Sequence, residues 1–507
     1  MLEHALAINH ALLPWKLLRL ESSAWRPAVQ KLRKLDYRLL TLLARSVDSS
    51  QILESCWAQA GKFLVIDVQL SAGECEVQDI ADLYPVAARL QRTVHELSGL
   101  RFVRTDEQFV DQGPWLNHGW SDQVYPLADL NTPIEFMPVM PLFTRVEGAG
   151  VHEVPVGPVH AGTIEPGHFR FSVVGEKVLR LQQRLGYCHR GMEALWVGQT
   201  PAQALRLAGR ACGDSTVAGS WAFAMAIEQA TGLEVSSRAG WLRAIMLERE
   251  RIAAHLSDLG ALAQDAGWVM PQNDLSGWRE EWLREHHAWC GHRLMMDQVV
   301  LGGCACDLSL ELQQRWLEQG QSLMQRLEAM FGRFEDHGGL QDRLLGTGIL
   351  SPERARQLGV CGLVGRASGQ SMDVRCDLAY EPYSQLKPAR QVLQEGDVAA
   401  RVRIRFAESF SSLFLLGQML EQLPEGPVRT EPATVAAEGR GYGWVEAWRG
   451  EVVAVVHLQQ GRISRARLHD PSWQNWPALE YAVLDNILAD FPLINKSFSL
   501  AYAGHDL

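Results

Sequence analysis

One stretch near the middle of the chain joins a thiol to a helix start. Arg210-Ala-Cys-Gly-Asp-Ser215 runs directly into Thr216-Val-Ala-Gly-Ser-Trp-Ala-Phe-Ala-Met-Ala-Ile-Glu228. A thiol at a helix N-terminus has its thiolate favoured by the dipole. Asp214 or Ser215 can cap the helix by accepting from its free N–H groups. A cysteine at 215 would make C-x-x-C, half of a four-thiolate metal site. Serine stands there, so the stretch reads as a metal site, a former metal site or a loop. A Gly/Pro-rich loop over residues 155–171 carries His160, Glu165 and His168. Histidine moves protons near neutral pH, although a surface position is its commoner role in such a loop. Glu248, Arg251, His255 and Asp258 lie three, four and three residues apart, which places all four on one helix face. Such a row could relay protons or join two helices; the plainer reading is a solvated ion-pair face.

The elements that must position these groups follow from periodicity. The helix after Ser215 carries a strip of small residues, Ala218, Gly219, Ala222 and Ala226, so another backbone can approach closely. Residues 239–262 form a helix with Leu242, Ile245, Ile252, Leu256 and Leu259 in one stripe. Residues 265–276 read as a loop, and 277–297 and 308–334 as long helices. His168–Val174 and Lys177–Gln182 read as a β-hairpin, as do Glu451–Gln459 and Arg462–Leu468 across Gln460-Gly461. Gly362–Gly369 is Gly-rich but lacks the order of a phosphate loop and is expected not to open a helix. Gly396-Asp397 starts a helix with Arg401, Arg403 and Arg405. Residues 478–489 are expected helical and 490–498 extended. Nearer the start, 26–46 has helical spacing (Val29, Leu32, Leu35, Leu39), Phe63–Leu70 is a strand and 79–97 is helical. Residues 111–126 are polar and turn-rich, and Pro133, Pro138 and Pro141 follow, placing a domain boundary near 140.

The 507 residues are 47% hydrophobic, enough for two domains or more. A net charge of −11 without Lys/Arg blocks argues against nucleic acid. No uncharged apolar run approaches the roughly 18 residues of a membrane span, and the first residues lack the pattern of a secretory signal. Nine dispersed cysteines suit a reducing compartment. Seventeen tryptophans raise the expectation of a chain that works within an assembly.

Tyr84-Pro-Val-Ala-Ala-Arg-Leu-Gln-Arg-Thr-Val-His-Glu-Leu-Ser-Gly-Leu100 resembles the signature of the small, C-type subunit in the peripheral arm of respiratory complex I, with Gln91 and Ser98 departing from it. From about residue 150 onward the motifs are Gly157-Pro-Val-His-Ala-Gly, Glu165-Pro-Gly-His-Phe-Arg, His189-Arg-Gly-Met-Glu193, Arg210-x-Cys-Gly, Leu247-Glu-Arg-Glu-Arg-Ile-Ala-Ala-His-Leu256, Arg366-Ala-Ser-Gly369, Asp373-Val-Arg375, Gly396-Asp397, Glu446-Ala-Trp-Arg-Gly-Glu451 and Asp470-Pro471. In this order they resemble the large subunit of membrane-bound, energy-converting [NiFe] hydrogenases and its relative, the D-type, quinone-site subunit of complex I. The resemblance implies a small α+β docking domain over 1–135. A large, mainly α-helical domain with peripheral β-hairpins follows over 145–507.

In those hydrogenases four thiolates hold nickel, from C-G-x-C and D-P-C-x-x-C motifs. Here the positions hold Cys212, Ser215, Ser472 and Asn475, and hydroxyl and amide oxygens do not suit soft nickel–iron chemistry. The expectation is therefore no metal and no cofactor bound by this chain, and no hydrogenase activity. In the complex I relative the vacated cavity holds a quinone, touched by a histidine and a tyrosine. His168 best matches that histidine; Gly213 stands at the tyrosine. The resemblance thus implies a quinone cavity with His160, His168, Gly213 and Ser215, and His168, Asp214 and Cys212 as its chemical groups. Glu248, Arg251, His255 and Asp258 would be a proton relay. The implied partners are a small iron–sulfur subunit like the B-type one of complex I, with a 4Fe-4S cluster, then H-like and antiporter-like membrane subunits, and quinone, at the cytoplasmic face of the cell membrane. The alternative is a non-catalytic structural chain that couples the iron–sulfur partner to the membrane subunits.

Overall fold

The computed structural model describes residues 15–47, 50–104, 113–116, 120–121, 124–129, 143–162, 164–378, 380–431 and 437–507. The fold is mixed α and β. Its first sheet contains β1 (Trp15–Glu21), and helix α1 (Trp25–Lys34) follows that strand. Next come β2 (Arg38–Val47), β3 (Ser50–Gln59), β4 (Lys62–Gln69) and helix α2 (Ala87–Ser98). The strand order is β1-β4-β3-β2, with β1 parallel to β4 and the other pairs antiparallel. The single helix expected over 26–46 is instead α1 followed by β2, with Asp36 at positive φ in the turn. The leucines of β2 explain the misreading, because the strand is covered on both faces. Leu39 and Leu42 join the main core, whereas Leu40 and Leu43 meet Tyr442, Trp444, Val453 and Val455 of a distant sheet. A run buried on both sides loses the period-two signature and cannot be told from a helix by pattern. The expected 79–97 helix starts only at Ala87 and ends at Gly99, whose φ of 77° closes it. Most of the turn-rich stretch and the boundary near 140 lie outside the described residues.

The larger part opens with the sheet β5 (Val151–Val156), β6 (His168–Val174) and β7 (Lys177–Arg184), which contains the expected hairpin. Five long helices follow: α3 (Thr216–Thr231), α4 (Ser237–Asp265), α5 (Val269–Cys290), α6 (Leu310–Asp336) and α7 (Val398–Glu421). A sheet of β8 (Gly439–Glu446), β9 (Glu451–Gln459) and β10 (Arg462–His469), then α8 (Ser472–Ala482) and α9 (Phe491–Phe498), complete the described helices and sheets that bear on the site. Gln460 and Gly461 both take positive φ at the β9–β10 turn, as a two-residue hairpin requires. Several expectations fail, among them the end of the 277–297 helix, which stops at Cys290. The 265–276 loop is mostly the first turns of α5, Gly362–Ala367 is itself a short helix, and 491–498 is helical rather than extended. The helix expected over 478–489 is α8, which starts and stops earlier. No helix among the described residues is long and apolar enough to cross a membrane.

The small-residue strip of α3 meets strand β8. A Cβ added at Gly439, Gly441 or Gly443 would lie 2.2, 1.9 or 1.8 Å from the carbonyl oxygens of Ala230, Ala226 and Ala222. Two residues of strand advance about 6.8 Å and four residues of helix about 6 Å, so the two repeats stay in step over three contacts. This close seam fixes the start of α3, and with it the Cys212–Ser215 turn, against the end of β8.

Candidate functional site

Residues Gly213–Ser215 form one 3₁₀ turn ahead of α3, and neither Asp214 nor Ser215 caps the helix. Glu250 of α4 does so instead: its carboxyl oxygens accept from the N–H groups of Val217 (2.7 Å) and Ala218 (3.1 Å). Asp214 is taken by Arg449, whose two terminal nitrogens each donate to one carboxylate oxygen at 2.7 Å. The same guanidinium donates to Ser215 Oγ (3.2 Å) and to the Ser499 carbonyl (2.5 Å), and it stacks on Trp448 at 3.8 Å. It also lies 3.8 Å from Cys212 Sγ. Partial burial acts against the charge of Asp214, but Arg449 outweighs it and holds the carboxyl at about 2. The Cys212 thiol donates to Asp214 Oδ1 at 3.0 Å. Burial and the Asp214 carboxylate push that thiol well up, so the thiolate favoured by a helix N-terminus is not what forms here.

The other two thiolate positions are equally committed. Ser472 Oγ accepts from Ala501 N–H (2.9 Å), and Asn475 bonds both the N–H and the C=O of Cys361. Trp473 and Trp476 are fully buried behind them; Trp473 stacks on His505 at 4.0 Å and Trp476 donates to Ala501 O. Among the described residues no three His, Cys, Asp or Glu side chains are grouped to hold a metal.

His160 and His168 both flank Gly157. His168 Nδ1 lies 3.3 Å from the Gly157 carbonyl and its ring 5.3 Å from Phe143. His160 packs on Phe169 and Tyr502. Burial lowers both pKa values, and Nε2 of each is buried without a hydrogen-bond partner. Among the described residues no direct hydrogen bond joins this pair to the Cys212–Ser215 turn.

The row on α4 is the reverse of a solvated face. Glu248, Arg251 and His255 are 0% exposed and Asp258 9%. Helix α7 answers it with Arg405, Glu408 and Ser412, running antiparallel. Ser412 donates to Glu248 (2.5 Å), His255 Nε2 meets Glu408 (2.9 Å) and Arg405 donates to Asp258 (2.9 Å). Arg375 bridges Glu248 and Asp373, Tyr383 donates to Glu248 at 2.6 Å, and Arg366 bridges Glu408 and Glu446. Arg251 donates to Glu248 and to the carbonyls of Glu446 and Ala447. Asp258 also accepts from Ser499 Oγ (2.8 Å), and the carbonyl of that serine accepts from Arg449. The row therefore ends at the Cys212–Ser215 turn.

Around the first half of the row, Glu248, Asp373, Glu408 and Glu446 face Arg251, Arg366 and Arg375. Burial opposes every charge, but the arginines hold Glu248 at about 2 and keep Glu408 and Asp373 well down. With one carboxyl in surplus, burial and the Asp373 charge push Glu446 up to about 7. Burial also lowers His255 despite Glu408, so the neutral ring donates from Nε2. Sequence reasoning missed Glu408 and Ser412, although Arg401, Arg405, Glu408 and Ser412 repeat at four, three and four residues, as on α4. Arg366, Asp373, Arg375, Glu446 and Arg449 sat inside the quoted motifs without an assigned role.

The sequence profile of the respiratory-chain NADH dehydrogenase 49 Kd subunit matches residues 265–439, and that of nickel-dependent hydrogenases matches 190–263. Subunit 5 of formate hydrogenlyase from Escherichia coli K12 is 28% identical over 460 residues, covering 89% of this chain and 79% of that one. The C/D-type chain of an NADH-quinone oxidoreductase from Bacteroides fragilis is 34% identical over 417 residues, 78% of each. A chain of the membrane-bound sulfane sulfur reductase, an archaeal respiratory membrane complex, superposes with a TM-score of 0.67 at 26% identity, over 71% of this chain and 99% of that one. The helical core with its paired sheets and Arg449-closed turn thus defines a large subunit of the respiratory-complex type. The chain belongs to the family that unites the NADH dehydrogenase 49 Kd (C/D-type) subunit with the large subunits of nickel-dependent hydrogenases.

Proposed function

We propose that this chain is the core subunit of a membrane-associated, complex I-like, ion-translocating oxidoreductase. Electrons from a partner iron–sulfur subunit reduce a quinone-type acceptor beside the Cys212–Ser215 turn. The site holds no nickel. The observation that carries this reading is Arg449, whose cation lies against Cys212, Asp214 and Ser215. Of the four thiolate positions one thiol remains, and Ser472 and Asn475 are spent on backbone groups. This donor set does not fit a soft metal. The exposed Gly213–Asp214 lip suits an acceptor approaching from outside the chain. Quinone reduction needs two protons, and His168 is one candidate donor. Asp214, held at about 2, is an anion at neutral pH and acts by orienting Cys212 and Arg449. The row from Tyr383 through Glu248, Arg251, His255 and Asp258 to Ser499 would couple the turn to partner subunits at the cytoplasmic face of the membrane.

The test uses the purified complex, with metal analysis beside titration and turnover of a short-chain quinone. No nickel, and saturable quinone binding lost in His168→Ala, is the expected result; nickel near one per chain would overturn it. Sulfane sulfur, the substrate in the name of the superposed archaeal complex, is the control acceptor. A second reading, a non-catalytic coupler, draws support from Trp473 and Trp476, whose large rings are fully buried beside Ser472 and Asn475. Absence of turnover with either acceptor would favour it.

A further inference from the structure

Between α4 and α5 a cavity of about 100 Å³ is lined by Asp214, Glu250, Asp258, Arg279, His286 and Trp448. At about 30 Å³ per molecule it has room for a short file of waters. Ser257 also lines it and is exposed, so the file opens to solvent there. The cavity wall is mixed, with Leu283, Leu294 and Met295 beside polar groups that are incompletely satisfied. His286 is fully buried with Nε2 unpartnered, and Nε of Arg279 is likewise buried without a partner. Glu250 spans the two environments: its carboxyl accepts from the first N–H groups of α3 and is only 7% exposed, yet it borders the cavity.

We propose that Glu250 is a proton-exchanging carboxylic acid that serves an acceptor at the Cys212–Ser215 turn through this cavity and is reprotonated from bulk water past Ser257. The transfer to the acceptor rests on the quinone-type reading above; the exchange with solvent does not. For each quinone reduced, two electrons arrive from the iron–sulfur partner. One quinol O–H bond forms as the Glu250 O–H bond breaks, and the other takes its proton from the second donor, for which His168 is the candidate. The Glu250 carboxylate is reprotonated by a hydrated proton from bulk solvent past Ser257. Asp214 cannot fill this role, because Arg449 keeps it ionised. The groups facing Glu250 are Asp214 on the turn, Arg251 and Asp258 on α4, and Arg279 and His286 on α5. Burial raises its proton affinity, the two α3 N–H bonds lower it and Asp214 raises it again, leaving it at about 8. Arg405 balances Asp258, and burial with the Arg249 charge keeps His286 neutral.

A pure helix cap would have the same two hydrogen bonds, so the test must read the proton. Infrared spectra of the assembled complex between pH 5 and 10, in H₂O and D₂O, should show a protonated-carboxyl band that fades around pH 8. The band shifts in D₂O and is missing in Glu250→Gln, whose amide oxygen still accepts from α3. Short-chain quinone turnover in that variant should fall about a hundredfold at unchanged KM, the scale of a lost general acid. A spectrum unchanged by Glu250→Gln overturns the proposal. A band that titrates as expected, with full turnover in the variant, overturns delivery to the acceptor. A band without quinone turnover in the native complex refutes the quinone reading and leaves solvent exchange standing. Should Glu250→Gln fail to assemble, Glu250→Asp must move the band's midpoint, and an unmoved midpoint counts against the proposal.

Discussion

Arg449 decides what the Cys212–Ser215 turn can be. Its donors satisfy Asp214, Ser215 and the Ser499 carbonyl, so its loss affects all three. In Arg449→Met the Asp214 carboxyl should rise from about 2 toward the ordinary range near 4, read by NMR titration of labelled aspartate. The Ser499 carbonyl loses that donor, and denaturant unfolding should report a loss of about 1–3 kcal/mol. Glu248 shows the stronger version of the same logic, with Arg251, Arg375, Tyr383 and Ser412 all directed at one fully buried carboxylate. Removing one partner of a buried ion group commonly costs about 3–5 kcal/mol. Glu248→Ala should therefore lower stability by that order; a change under about 1 kcal/mol would mean that the row is not held by its charges.

The seam between α3 and β8 is an element-scale device. Gly443→Ala would place a methyl 1.8 Å from the Ala222 carbonyl oxygen, where both neighbours are backbone and cannot yield independently. A loss of about 1–3 kcal/mol or more is expected in denaturant unfolding, as for other overpacked sites. Gly417→Ala is the matched control. Gly417 sits within α7 with open space around its missing Cβ, so alanine should stabilise by up to about 1 kcal/mol through helix propensity. The antiparallel α4–α7 pair follows the same principle with charges: repeats of three and four residues on each helix bring acid to base or hydroxyl along the whole contact.

Across the whole molecule, two sheets distant in sequence stack on each other. Arg38 pairs with Glu451, Glu54 meets His457 and Tyr442, and Arg467 donates to Thr41. The buried ionisable groups also set a pH profile. Histidines 160, 168, 255, 286, 469 and 505 have lowered pKa values, so their contribution to stability is lost as pH falls below about 6.5 and is complete above it. Glu446 and Glu250 are raised, to about 7 and about 8; the native state holds protons that the unfolded chain has released. Their stabilisation is present at low pH and is lost as pH rises through those values. Stability should thus peak near pH 6.5 and decline toward 8.5, followed by denaturant midpoints. Glu250→Gln should flatten the upper half of that decline; an unchanged slope would contradict the raised value.

Some of this was written in the linear chain. The small-residue strip of α3, the long helix with its row of acid, base, histidine and acid, the two hairpins and the family motifs depend on local spacing, and spacing is what a sequence displays. The sequence also showed that three of the four thiolate positions lack sulfur. It could not show that the row is buried, because exposure depends on what packs against a face, and α7 lies some 150 residues away. Nor could it show β2 as a strand, since a sheet covered on both sides removes the alternation that reveals it. The cap of α3 comes from Glu250, not from its own first residues, because a helix start accepts any carboxyl that tertiary packing brings within reach. Only the tertiary structure brought Arg449 onto the Cys212–Ser215 turn and Glu408 and Ser412 onto the row. The ionisation of Cys212, Asp214 and Glu250 therefore follows from burial and from charges distant in sequence.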